Sequence, residues 1–180
     1  MSGGCLASSW GRRGVLLLAV LALFACSPAL NWREVPLNRL TAFLPCKPDR
    51  AQRTVNLGSQ AVEMDMAGCE AAGGLFAVSH LRLSAPSQAA EVLAAWRTGT
   101  LRSMQSTAVT ELPWRPVAGA GASALPPVLL EATGQRADGS TVQARLAWLV
   151  DGVDMFHIAV YAPHLSPDMT ETLFSEFKLQ

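Results

Sequence analysis

Three apolar segments, residues 128–136, 141–150 and 153–161, are separated by Asp138-Gly139 and Asp151-Gly152. Asp-Gly between alternating apolar residues is the strongest short-range hairpin signal, because a primed two-residue turn needs positive φ at both central positions. The spacing predicts a three-stranded antiparallel meander. In its middle strand Val142, Ala144, Leu146, Trp148 and Val150 fall on one face, and Thr141, Gln143 and Arg145 on the other. One face must therefore be covered while the other is at least partly wet. Whatever else the chain does, it has to supply that cover.

The upstream half offers both strands and a helix. Val55 and Leu57, then Val62, Met64 and Met66, alternate with polar neighbours around Gly58-Ser59, which predicts a hairpin over 53–57 and 61–66. Residues 40–44 read as a first strand, closed by Pro45-Cys46-Lys47-Pro48, whose prolines cannot donate to a ladder. Residues 75–83 follow Gly73-Gly74, with Phe76, Val78 and His80 on one face, and 107–112 is a further strand. Ser84-Ala85-Pro86-Ser87 starts a helix over 87–104, its stripe carrying Ala89, Val92, Leu93, Trp96 and Met104. Residues 117–127, rich in Gly, Ala and Pro, read as a surface loop. Ser166-Pro167-Asp168 starts the last helix with a capping residue, a first-turn proline and an acid at the positive end of the dipole. The expected class is α+β: an antiparallel sheet of six to seven strands packed by two main helices.

That order, from Phe43-Leu44-Pro45 through hairpin 53–66, strand 75–83, helix 87–104, the meander and the closing helix, resembles the PsbP-like α/β/α fold. The resemblance implies helices over an antiparallel sheet and a role in binding or assembly. Fold alone assigns no function.

The N-terminus reads as an address. Gly14 to Ala25 carry no charge and follow Arg12-Arg13. Twelve residues fall short of the about twenty that a bilayer span needs, and fit the apolar core of an export signal. Leu23-Phe24-Ala25-Cys26 resembles the bacterial lipobox. In that family the cysteine thiol is joined to a diacylglycerol and the chain is cut before it. The resemblance implies a signal peptide over 1–25, lipidation of Cys26, a short tether over 26–31 and one periplasmic domain over 32–180. Ser27, in place of an aspartate, implies the outer membrane rather than the inner. The alternatives are a membrane-spanning helix, or ordinary cleavage after Ala29 that discards Cys26.

Removing residues 1–25 takes two of the 14 basic residues and leaves 12 against 14 acidic ones, a formal charge of −2. That argues against a nucleic-acid surface or a polybasic membrane patch. With Cys5 discarded and Cys26 lipidated, Cys46 and Cys69 remain, and an even pair in an oxidising compartment reads as a disulfide. Their midpoint falls beside Gly58-Ser59, so a hairpin there brings them together. The rival reading, a zinc or redox site, has neither a close cysteine pair nor a nearby histidine.

Catalytic signals are sparse. His80, His157 and His164 form no local metal pair, and neither H-E-x-x-H nor G-x-S-x-G occurs. His80 and His157 fall within strands and read as hydrogen-bonded histidines at the core boundary. Gly119-Ala120-Gly121 lacks the third glycine of a dinucleotide loop. Glu63, Asp65 and Glu70 surround one hairpin, and a solvated strand face accounts for Glu63 and Asp65. Lys47, Asp49, Arg50 and Arg53 cluster beside Cys46 and form a candidate binding loop for an anion or a protein. Trp148 and Tyr161 belong either to the core or to a cleft between sheet and helices. The expected protein has no catalytic residue, metal or cofactor. It is a membrane-tethered envelope lipoprotein acting as a non-catalytic binding or assembly factor, with an envelope protein as its possible partner. The alternative is a carrier or sensor of a small amphiphile, and a third reading is an envelope hydrolase using His80 or His157.

Overall fold

In chain order the strands are β1 (Arg33–Leu37), β2 (Leu40–Leu44), β3 (Asp49–Leu57), β4 (Gln60–Ala71), β5 (Gly74–Arg82), β6 (Ala108–Leu112), β7 (Val128–Gln135), β8 (Thr141–Asp151), β9 (Asp154–Ala162) and β10 (Lys178–Leu179). The helices are α1 (Ala89–Ser103), entered through a 3₁₀ turn at Pro86–Gln88, and α2 (Pro167–Ser175). The computed structural model describes residues 29–115 and 125–180. The export signal, the first half of the tether with Cys26, and Gly119-Ala120-Gly121 lie outside the described residues, as does most of the loop expected over 117–127.

Seven strands form one antiparallel sheet in the order β3-β4-β5-β9-β8-β7-β6, and β1-β2-β10 form a second, smaller one. β9 is central and buried along nearly its whole length. Its residues are therefore apolar on both faces, where a half-wet strand would alternate. Phe156, Ile158 and Val160 point into one core, closed by the small sheet and by Met169, Leu173 and Phe174 of α2. Met155 and Ala159 point into the other, with Leu146, Trp148 and Val150 of β8, under Val92, Leu93 and Trp96 of α1. The expected α+β class, with a mostly antiparallel sheet and two helices, is what the chain adopts.

Three local expectations are corrected. The turns of the meander are not primed Asp-Gly pairs: Gly139 (φ 82°) and Gly152 (φ 63°) take positive φ, but Asp138 and Asp151 do not. Gly139 closes a five-residue connection in which Arg136 N–H donates to Ser140 O (2.9 Å) and Asp138 accepts from Ser140. At the second turn the pairing of Asp151 with Asp154 shifts the loop to Gly152-Val153, with glycine in the first central position. Ser166 sits at the N-cap of α2, but its side chain makes no capping hydrogen bond. The third correction is the small sheet itself. β1 and β10 have no strand signal of their own and exist by pairing with β2.

α1 is latched at both ends. Near its start Glu91 accepts from Ser59 N (3.1 Å) and Ser59 Oγ (2.7 Å) in the β3–β4 turn, bonds that hold its carboxyl below the usual range. At its end Met104 O accepts from Gln135 N at 2.8 Å. β7 can come this close because residue 134 is glycine: a Cβ there would overlap the Met104 carbonyl. Gly134→Ala is expected to destabilise the protein by about 1–3 kcal/mol, the usual range for forced overpacking. Urea denaturation measures it, and an unchanged midpoint would refute the close approach.

Candidate functional site

The diagonal path of α1 leaves one corner of the large sheet uncovered. Fifteen helical residues are about 22 Å long, whereas seven strands span about 29 Å. Running from the β3–β4 turn to the end of β7, α1 cannot also cover the β4–β5 hairpin. A cavity of about 690 Å³ fills that corner. Its apolar wall is Leu75 of β5, Tyr161 of β9, Val142 of β8 and Met104 at the end of α1. Leu75 and Tyr161 are register partners and so share this face. Leu75 is 43% exposed. The size is that of a small-molecule site.

Two kinds of polar group meet this wall. Burial pushes the Tyr161 phenol up to about 12, so at neutral pH it is a neutral donor. On opposite rims stand Glu70 of β4 and Arg136 in the β7–β8 connection, both exposed. Neither takes part in an ion pair among the described residues. The nearby Asp138 carboxylate is turned to Ser140, whose N–H and Oγ donate to it at 2.9 and 2.6 Å. The arrangement can bind and orient a ligand. It places no nucleophile beside a general base.

The chain enters the fold on the other face of the large sheet, in the core closed by the small sheet. Asn31 N–H donates to Pro45 O (2.8 Å), Trp32 meets Phe76 edge-on at 6.0 Å, and Phe76 is the register partner of Cys69. Cys46 and Cys69 are joined in a disulfide, one residue before the rim acid Glu70. The turn that closes the corner, Ala72-Gly73, carries positive φ at both positions.

The histidines lie elsewhere. His80, buried on β5, has Nε2 at 2.9 Å from Asp154 Oδ1 and Nδ1 at 3.3 Å from the Asn38 amide. Arg39 and Arg82 approach the same carboxylate at 3.8 and 3.6 Å, and Arg39 Nη1 lies 2.9 Å from Asp151 Oδ2. This polar cluster ties the β1–β2 turn to the far end of β5 and β9. His80 is thus within reach of an acid, but it is 3% exposed and faces core rather than a cleft. His157 is sandwiched between Trp148 (4.5 Å, stacked) and Trp96 (5.4 Å). Its Nε2 and Trp148 Nε1 are buried without a hydrogen-bond partner among the described residues. Burial holds His157 down at about 3. His164 is exposed between β9 and α2.

The basic cluster divides. Lys47 stays in the β2–β3 loop, while Asp49, Arg50 and Arg53 lie along edge strand β3 rather than in a loop. Period-two alternation sends Arg50 and Arg53 to opposite faces, and Arg50 Nη2 donates to Pro36 O at 2.8 Å. Of the two aromatic residues weighed for a cleft, Trp148 is core (1% exposed) and Tyr161 lines the cavity. Sequence reasoning grouped Glu70 only with the acids around one hairpin and missed Arg136, Leu75 and Met104 as lining residues. A second groove of about 470 Å³ lies between β6–β8 and α2. Its charged pair is already satisfied, with Arg145 Nε donating to Glu131 Oε1 at 3.0 Å, and Gln143 Oε1 accepts from Leu165 N. Among the described residues no group of three His, Cys, Asp or Glu is placed to hold a metal ion. No helix among them is long and apolar enough to cross a membrane. No family model and no curated protein matches the chain.

Proposed function

We propose that this chain is a lipid-anchored, non-catalytic binding protein of the bacterial cell envelope that holds a small amphiphile in the cavity at the corner of the large sheet that α1 leaves uncovered. The observation that carries this reading is the 690 Å³ corner walled by Leu75, Met104, Val142 and Tyr161, with a neutral phenol and two rim charges. The lipobox supports the anchor at Cys26, with the domain in the periplasm and the outer membrane as its address. The Cys46–Cys69 bond supports an oxidising compartment. The order of elements supports a PsbP-like reading of the fold. Cys26 precedes Ala29 by three residues, about 10 Å of extended chain, so the domain would sit close to the bilayer surface.

The test uses the full chain in lipid nanodiscs and a diazirine-bearing fatty acid. Photolabelling is expected on peptides carrying Met104, Val142 or Tyr161. Leu75→Trp, which fills the mouth from an exposed position, is expected to lower that labelling at least about fivefold. Labelling spread over the surface and indifferent to Leu75→Trp would overturn the cavity reading. Mass spectrometry of the membrane-derived protein tests the anchor: a diacylglycerol on Cys26 is expected, and an unmodified N-terminus beyond Cys26 would remove it.

A second reading, an assembly factor that docks an envelope protein, draws on the two strands that end the large sheet, β3 and β6. β6 is exposed along nearly its whole length, with Val109 47% exposed, and an unpaired strand edge can accept another chain. Crosslinking from position 109 in intact cells is its test.

A further inference from the structure

We infer that the amphiphile is zwitterionic: a single acyl chain in the cavity, with a head group that carries an anion toward Arg136 and a cation toward Glu70. The inference rests on the cavity reading above and adds the head-group chemistry. Only two of the cavity's lining residues are charged, one of each sign. They come from different hairpins, Glu70 from the end of β4 and Arg136 from the β7–β8 connection, so they stand across the mouth rather than side by side. Neither makes an ion pair among the described residues; Asp138, the carboxylate nearest Arg136 in the chain, is hydrogen-bonded by Ser140 and is also held below the usual range in part by the Arg136 charge. The other lining side chains bring no further charge. Leu75, Val142 and Met104 offer only apolar surface, and Tyr161 adds one neutral donor suited to a phosphate or ester oxygen.

The alternatives fit this rim less well. A fatty acid or an anionic lysolipid would satisfy Arg136 and leave Glu70 without a counter-charge. An alkylamine would satisfy Glu70 and face the guanidinium. A lysophospholipid with a phosphoethanolamine head matches both rims at once, because its phosphate and ammonium are separated by a short flexible linker. A single chain suits the site's volume of about 690 Å³ better than two.

The test is competition against the diazirine fatty acid on the full chain in nanodiscs, read as labelling of the Tyr161 peptide. The competitors share one chain length: lysophosphatidylethanolamine, lysophosphatidylglycerol and an alkylamine. Lysophosphatidylethanolamine is expected to compete about fivefold better than either, the scale of one exposed ion pair. Glu70→Gln should erase its advantage over lysophosphatidylglycerol, and Arg136→Gln its advantage over the alkylamine. Both residues are exposed, and an unchanged melting temperature checks that the variants fold. The double exchange Glu70→Arg with Arg136→Glu should restore the preference, because a zwitterion can reverse its head. Equal competition by lysophosphatidylglycerol, with Glu70→Gln silent, would overturn the zwitterion and leave the cavity reading standing. Failure of all three to displace the probe, with labelling indifferent to Leu75→Trp, would overturn both.

Discussion

Lowering the pH from 7 to 4.5 is expected to destabilise the wild-type chain by about 2–3 kcal/mol more than a His157→Phe variant. In the native state His157 is held at about 3 by burial between Trp96 and Trp148. In the unfolded chain it returns to 6.5, its ordinary value. Between those two values the unfolded state binds a proton that the native state refuses, so stability falls as pH falls. The contribution is fully present above 6.5 and is lost progressively toward 3. Its register partners are Ser79 on β5 and Trp148 on β8, and Trp96 caps it from α1, so no carboxylate stands against the ring to offset the charge. Carboxylates such as Asp154 add their own acid sensitivity, and the comparison with His157→Phe removes it. The variant also deletes a buried nitrogen that has no hydrogen-bond partner, so near pH 7 it should lie within about 1 kcal/mol of wild type. The measurement is urea denaturation of both proteins across pH 4.5 to 7.5. Parallel pH profiles would show that the histidine is not shielded as described.

Replacing both cysteines, Cys46→Ser with Cys69→Ser, is expected to destabilise the protein by about 3.4 kcal/mol. A crosslink spanning 23 residues removes that much loop-closure freedom from the unfolded chain in the entropy model. The native structure should change little, because β3 and β4 are paired from Asp49–Gly68 to Leu57–Gln60 without the crosslink. The bond joins the loop after β2 to β4, one residue before Glu70, and so links the small sheet to the strand that carries one rim of the cavity. Loss of the bond is therefore also expected to weaken photolabelling at Tyr161. Chemical reduction of the wild type should reproduce the shift in urea midpoint. A change under about 1 kcal/mol would mean that the unfolded chain is already compact around this loop.

Much of the large sheet was legible from period and punctuation. The hairpin around Gly58-Ser59, the strand carrying Phe76, Val78 and His80, and the late meander all announce themselves locally, because a half-buried strand must alternate and its turns need glycine. The cysteine pair was legible for the same reason: a symmetric hairpin between Cys46 and Cys69 leaves little freedom in where its ends meet. β1 and β10 were not legible. β1 carries Pro36, and β10 is two residues long, so neither signals a strand until β2 supplies a ladder. The turn geometry of the meander was misread by one residue at Asp151, because that aspartate is drawn into the pair with Asp154 and toward Arg39.

The site shows the same division. Tyr161 was among the residues weighed for a cleft, since a tyrosine at the end of a buried strand has to place its hydroxyl somewhere. Glu70, Arg136, Leu75 and Met104 were not grouped, for they come from four segments that only folding brings to one corner. By itself, the sequence determined the α+β class, the antiparallel pairing of neighbouring strands and the disulfide. These depend on alternation, glycine placement and short loop closures, all of which are local. The tertiary structure alone decided that β9 is buried on both faces, that His80 finds Asp154 74 residues away, and that a cavity exists. The cavity follows from a length mismatch: a helix of about 22 Å laid diagonally cannot cover a sheet of about 29 Å, and the uncovered corner is where a ligand can sit.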